Sequence, residues 1–408
     1  MPSEHINFGG TPSGPLAGVR IADFTAVYSG PLASSILGDQ GATVIKIEPA
    51  HGDLMRRGLP QHKKMGASFL TLNRNKQSLC VDLRSPAGRD IARRLIKTCD
   101  VVMENFRPGV MARLGLDYER LAPEQPKLVY VSINGVGSTG PYANRRVYDA
   151  VIQAISGFAA LKGDEPPQLV NNLVCDKVTA LTASEAVVAA LFHAERSGQG
   201  QKVELSMLDA SLFFLWSDLM NNFTLLEEGV EEIPPADLSL FIRKTKDGWV
   251  AQMPVQKAEI EGAFRALGLE ELIGDPRFET VEDRIRNRPL LKELTDKAYA
   301  RFTSEEICAR LEEHDVPFSK VNLRDEVPND PQIKAMQALW TFEHPGVGTV
   351  QQPRPPAQFS RTPSNFHTPT AFLGQHNVTI LQELGFSSEE IEEFVSGDVV
   401  YAIHSEAP

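Results

Sequence analysis

The sequence predicts an α/β fold with a mainly parallel central sheet. From Val19 onward, short β-rich runs alternate with helical stretches, and few hairpin turns separate the strand candidates. The length of 408 residues, at ~150 per domain, suggests two or three domains.

The first predicted strand is Val19 to Phe24, followed by a helix from Pro31 to Asp39, a break at Gly41 and a second strand from Thr43 to Glu48. Ser85-Pro86 starts a helix, serine capping and proline filling the first turn. Ile91, Leu95 and Ile96 give that helix, which runs to about Thr98, a three-to-four spaced apolar stripe. Val101 to Met103 and Lys127 to Ile133 read as buried strands. A long Ala- and Leu-rich helix spans Lys177 to Arg196, a strand Gln201 to Ser206, and a second apolar helix about Leu208 to Leu226. The acidic, proline-containing stretch Glu227 to Asp237 marks a boundary. Beyond it, Thr245 to Gly248 is a hairpin turn feeding the strand Trp249 to Met253. Helices near Lys257–Leu267, Arg288–Arg301 and Ser304–His314 complete a second domain of usual size. A Pro-rich linker (Pro353, Pro355, Pro356, Pro363, Pro369) precedes C-terminal helices, and there is no internal repeat.

The composition, 42% hydrophobic and 23% charged, is that of a folded chain and excludes wholesale disorder. A net charge of −12 argues against a broad nucleic-acid or anionic-membrane surface, though not against one confined basic pocket. Four isolated cysteines (Cys80, Cys99, Cys175, Cys308) suit a reducing compartment. Met1 to Gly18 has no apolar run and no segment reaches ~18 apolar residues, so the expectation is a cytoplasmic protein with a short mobile tail.

Gly135-Val136-Gly137-Ser138-Thr139-Gly140 matches the dinucleotide pattern GxGxxG after a predicted strand. No amphipathic helix follows it, and the strand is a late one, whereas the fingerprint belongs to the first βα unit. A glycine loop permitting close backbone approach is the better reading. Metal-hydrolase and serine-hydrolase motifs are absent, and the nine histidines are dispersed. Asp176, in Asn171-Asn172-Leu173-Val174-Cys175-Asp176-Lys177, lies where a loop enters a long helix. There it suits anion chemistry, yet helix capping alone explains the position. Cys175 lacks a paired base and reads as a buried structural thiol.

Several motifs in order resemble class III CoA-transferases, the family of formyl-CoA transferase and carnitine CoA-transferase, to which α-methylacyl-CoA racemase is related. They are Asp23-Phe24-Thr25 with Ser29-Gly30-Pro31, Gly41 to Glu48, Asn73-Arg74-Asn75-Lys76-Gln77-Ser78, Glu104-Asn105-Phe106-Arg107-Pro108-Gly109, Gly198 to Gln201 and Leu373 to Asn377. The resemblance runs from about Leu16 to Phe394. It implies that Asp176 is a nucleophile passing through an acyl anhydride and an enzyme–CoA thioester. It implies a coenzyme A site lined by Tyr28, Ser29, Arg84, Asn105, Phe106, Arg107, Arg113, Arg146, Tyr148 and Asp149. Acyl-CoA and a carboxylic acid are then substrates, with no tightly bound cofactor and no nucleic-acid or membrane partner.

The implied architecture is a Rossmann-like large domain from both chain ends (1–226 and 336–408), a smaller α/β domain (227–335) and an interlocked homodimer. Three departures stand out. Tyr28 replaces a glutamine of formyl-CoA transferases, Pro49 follows Glu48 where an arginine often contacts CoA, and no glycine-rich loop lies between Asp237 and Met253. An acyl group larger than formyl is therefore expected. A racemase, the rival enzyme, needs a histidine where Tyr148 precedes Asp149. A non-catalytic CoA-binding protein is the alternative outside enzymes, and the presence of Asp176 argues against it.

Overall fold

The computed structural model describes residues 6, 8–161, 166–230, 232 and 238–401. The chain forms two compact units, Met1–Ile233 with Gln337–Pro408, and Pro234–Met336. The tail expected over Met1 to Gly18 and the boundary expected over Glu227 to Asp237 fall partly outside the described residues.

The larger unit is built on strands β1 (Arg20–Asp23), β2 (Thr43–Glu48), β3 (Lys76–Cys80), β4 (Val101–Glu104), β5 (Val129–Asn134) and β6 (Lys202–Ser206). They lie in the order β3-β2-β1-β4-β5-β6, every pair parallel. The inner strands are buried on both faces, as a sheet with helices on both sides requires. The strand order reverses at β1 and β4, so the loops leaving their C-terminal ends diverge and open a crevice.

Helices α1 (Ser29–Asp39), α2 (Pro86–Ile96), α3 (Asp149–Ser156), α4 (Val174–Ser197) and α5 (Met207–Leu219) belong to this unit. Along α4, Ala180, Ala183, Val187, Ala190 and Ala194 repeat at three- and four-residue steps and pack with Leu37 of α1 on Ile21, Val44, Val101 and Val129. On the other face, Ile91 and Leu95 of α2 meet Ile380 and Leu381, from a helix almost 300 residues later. Ser85 caps α2 as predicted, accepting the Gly88 amide at 2.9 Å.

Two predicted elements are corrected. The helix expected to reach Leu226 stops at Leu219, where Asn221 turns its side-chain amide back onto the Asp218 carbonyl. The Pro-rich linker begins on the last residue of an antiparallel hairpin that no sequence signal announced, Leu339–His344 with Gly348–Pro353. Trp340 and Phe342 of that hairpin pack edge-on against Phe366, and Pro353 is tolerated at the strand end.

Charged residues within the sequence motifs are buried around the C-terminal end of β1, the later half of β2 and the start of β3. Lys76 Nζ reaches Asp23 at 3.1 Å, the Pro31 carbonyl and Asn73. Lys46 pairs with Asp53 at 3.0 Å and donates to the Thr25 carbonyl. Arg56 grips Glu48 with two hydrogen bonds, while Ser78 Oγ donates to Glu48 and accepts the Gly374 amide. These contacts tie the returning C-terminal segment to β3 and fix the loop after β1.

The smaller unit has a three-stranded antiparallel sheet in the order β9-β8-β7: β7 (Ile242–Lys244), β8 (Trp249–Gln252) and β9 (Phe318–Lys320). The predicted turn joins β7 to β8, closed by the Thr245 amide on the Gly248 carbonyl at 3.0 Å. Helices α6 (Lys257–Leu267), α7 (Val281–Arg286), α8 (Arg288–Tyr299) and α9 (Ser304–Glu313) surround it. The strand β9 and helix α7 are too short to leave a periodic signal in sequence.

Candidate active site

A cavity of about 380 Å³ opens at the C-terminal ends of β1, β4 and β5, in the crevice of the larger unit. Three chain segments enter it from the starts of helices α1, α3 and α4.

The first segment is the turn from Thr25 to Ser29. Asp23 Oδ1 accepts the Thr25 amide, and Gly30 lets α1 begin directly against Thr25, because a Cβ there would sit 2.4 Å from the threonine Cβ. Val27 has φ +72°, a left-handed conformation costly for a β-branched residue. Its amide is held by Asp53, and Asn105 clamps the preceding Ala26 with hydrogen bonds to both its N–H and its carbonyl, each 2.8 Å. The predicted coenzyme residue Asn105 thus lines the cavity and also locks this turn.

The second segment carries Tyr148 and Asp149 at the start of α3. Asp149 is 2% exposed. One of its oxygens accepts the Asp176 amide at 2.9 Å and the other the Gln153 side chain at 2.6 Å. Gln153 also holds the Val170 amide and the Asn172 carbonyl, fixing the loop that delivers α4.

The third segment is the first turn of α4. Its N-cap is Leu173, so Asp176 lies inside the helix and leaves capping aside. Its carboxyl is raised from 3.8 to about 6, by burial first and by the Asp149 charge second; only the Ser29 hydroxyl and amide act in the opposite direction. Tyr28, half-buried beside both carboxylates, is raised for the same reasons. Cys175 is fully buried and its thiol is pushed up to about 11, chiefly by burial, which makes it a poor nucleophile.

At the mouth stand Arg107, Arg145 and Arg146, all exposed. Among the described residues none of them is in an ion pair. Three unpaired guanidiniums beside a crevice suit an anionic group such as a phosphate. The glycine pattern finds its explanation here too. A Cβ on Gly135 would lie 2.0 Å from Val147 Cγ2, so Gly135 lets the Arg145–Tyr148 segment close over the crevice. No helix follows before Asp149, unlike a dinucleotide turn.

Comparison with known proteins shows the family to which the chain belongs. The profile of CoA-transferase family III matches residues 16–377. The chain belongs to CoA-transferase family III. A succinate–glutarate CoA-transferase of Agrobacterium fabrum is 32% identical over 91% of this chain and 96% of its own length. A succinyl-CoA:glutarate CoA-transferase of Homo sapiens is 33% identical over 95% of this chain and 90% of its own. A crystal structure of a CAIB/BAIF family protein from Brucella suis is 31% identical, with a TM-score of 0.79 over 91% of this chain and 100% of that one. The protein is therefore a class III CoA-transferase with a mixed α/β fold and a parallel central sheet.

Of the residues expected around the coenzyme in this CoA-transferase, Tyr28, Ser29, Asn105, Phe106, Arg107, Arg146 and Tyr148 line the cavity together with Asp176. Asp149 lies just beneath. Arg84 and Arg113 do not line it. Arg84 is exposed and bonded twice to Asp82, and Arg113 is exposed on the short helix Val110–Leu114. Sequence reasoning passed over Arg145, Val27 and Gln153. Arg145 adjoins the quoted motif and could have been found; Val27 and Gln153 carry no sequence signal, because their importance lies in backbone conformation and long-range bonds.

Proposed function

We propose that this family III enzyme moves CoA between carboxylic acids with Asp176 as the nucleophile. The carrying observation is the environment of Asp176: a carboxylate at two helix starts, with Asp149 beside it and no ion-pair partner among the described residues. At about 6, it is mostly ionised at neutral pH and more basic than an ordinary aspartate, which suits attack on a thioester.

An Asp176 oxygen attacks the acyl-CoA carbonyl, the C–S bond breaks, and CoA leaves as a thiolate with an aspartyl–acyl anhydride behind it. The thiolate attacks the Asp176 carbonyl carbon and expels the first acid as its carboxylate. An acceptor carboxylate attacks the resulting aspartyl–CoA thioester, giving a second anhydride and thiolate. The thiolate then takes the new acyl group and Asp176 is restored, with no net proton or electron. The Ser29 amide and hydroxyl are suited to steady the oxygen charge that builds at these carbonyls. Arg107, Arg145 and Arg146 are suited to the coenzyme phosphates.

Succinyl-CoA as donor and a small dicarboxylate as acceptor fit the relatives named above, and Tyr28 at the cavity wall suits an acid larger than formate. The lining contains no histidine, which favours transfer over racemisation. The exposed side chains Phe192, Phe213 and Leu226 support the homodimer that the resemblance implies, measurable by light scattering. A donor-by-acceptor panel read by mass spectrometry tests the reading, with hydroxylamine added during turnover. Hydroxamate formation at Asp176 is expected. Solvent deuterium at the α-carbon of a 2-methylacyl-CoA, without CoA transfer, would replace this reading with the racemase.

A further inference from the structure

The smaller unit contains a second cavity, of about 390 Å³, between one face of its sheet and helices α6, α7 and α8. Its walls are largely aliphatic and aromatic, including Ile260, Phe264, Ile285 and Leu291. Its size is within the range of small-molecule sites, ~300–1,000 Å³.

The floor is polar. Arg243 on β7 pairs with Val250 on β8, and Gln252 is two residues further, so Arg243 and Gln252 point to the same face. Both are buried, 9% and 8% exposed, and both line the cavity. Arg243 Nε and Nη1 and Gln252 Oε1 have no hydrogen-bond partner. Among the described residues the ion-pair partner of Arg243 is Asp296, 3.5 Å from Nη1, and Asp296 is itself held by Lys292. Unmet buried donors are costly, so a floor of this kind is complete only with a ligand. Arg284, Arg288 and Lys292 add positive charge to the lining, which among the described residues contains no Asp or Glu.

We propose that this cavity binds a medium-chain aliphatic monocarboxylate, its head on Arg243 and its tail against the apolar walls. The carboxylate accepts from the free Nε–H of Arg243, and the Gln252 amide, rotated, donates to the second oxygen. A neutral or cationic ligand would leave the guanidinium unmet.

The test uses the full chain with methyl-labelled isoleucine, titrated with octanoate and followed by NMR and calorimetry. Saturable shifts at Ile260 and Ile285 are expected, with a Kd below about 1 mM. Octanol, which lacks the charge, and Arg243→Met are each expected to bind at least about tenfold more weakly. Because Arg243→Met could fail to fold, Ile260→Trp serves as an independent variant that fills the cavity and is expected to abolish the shift at Ile285. Asp176→Ala is expected to leave octanoate binding unchanged. The proposal is overturned by the absence of saturable shifts, by octanol binding as tightly as octanoate, by a folded Arg243→Met with unaltered affinity, by a folded Ile260→Trp that keeps the Ile285 shift, or by loss of the shifts in Asp176→Ala.

Discussion

Two carboxylates of the larger unit, the buried Asp23 and the partly buried Asp176, meet opposite treatment. Burial alone would raise Asp23, but Lys76 and Lys46, with Ser34 and Thr25 hydrogen bonds, hold it below the usual range. Asp176 receives burial and the like charge of Asp149, with only Ser29 to offset them, and is raised to about 6. The first arrangement holds the loop after β1 in place; the second holds a carboxylate ready to react. Both sit at the same end of the sheet, and the first supports the turn that carries Ser29 to the second.

Removing the reactive carboxylate has the largest expected effect. Asp176→Ala should lower kcat by more than about 10⁴, equivalent to ~5 kcal/mol, while melting stays cooperative. An Asp176→Ala enzyme with wild-type turnover would sink the mechanism. Breaking the structural cluster instead should cost stability. Lys76→Met removes the cation bonded to Asp23 and should lose about 3–5 kcal/mol in denaturant unfolding, because a buried charge deprived of its ion-pair partner is expensive.

The pH profile sharpens the contrast. The ionised form of Asp176 is the nucleophile, so kcat/KM should be level above about pH 6 and fall tenfold per pH unit below it. A profile level down to pH 4.5 would mean the carboxylate is not raised. The same shift has a stability consequence. The folded pKa is above the unfolded value of 3.8, so protonation favours the fold, and the benefit is lost as pH rises through about 6. Asp176→Asn should therefore be more stable than the native protein at pH 8, by about 1–2 kcal/mol after solvent screening, with the difference gone below about pH 4. Asp23 runs the other way: its stabilisation is present above its unfolded pKa and is lost as pH falls.

Much of the larger unit was legible in sequence. Alternating β-rich runs and amphipathic stretches placed β1, β2, β4, β5 and β6 and the helices α1, α2, α4 and α5, since period and burial are local properties, while β3 and α3 escaped them. The recurring motifs pointed to the family, yet several of their residues proved to be buried ion pairs and clamps, as Lys76, Glu48 and Asn105 illustrate. The site was legible as a set of candidates and no further. Arg84 and Arg107 look alike in the chain, but one is bonded to Asp82 and the other stands free at the crevice.

By itself the sequence determined the parallel α/β layering, the glycine positions that permit close approach, and Asp176 at a helix start. Only the tertiary structure decided that Asp149 lies against the Asp176 amide, that Val27 is held in a strained turn, and that residues near 376 pack on β3. The reason is physical: periodicity and steric demand are carried by neighbouring residues. A carboxylate's charge state is set by whichever groups the fold brings within a few ångströms, from any distance along the chain.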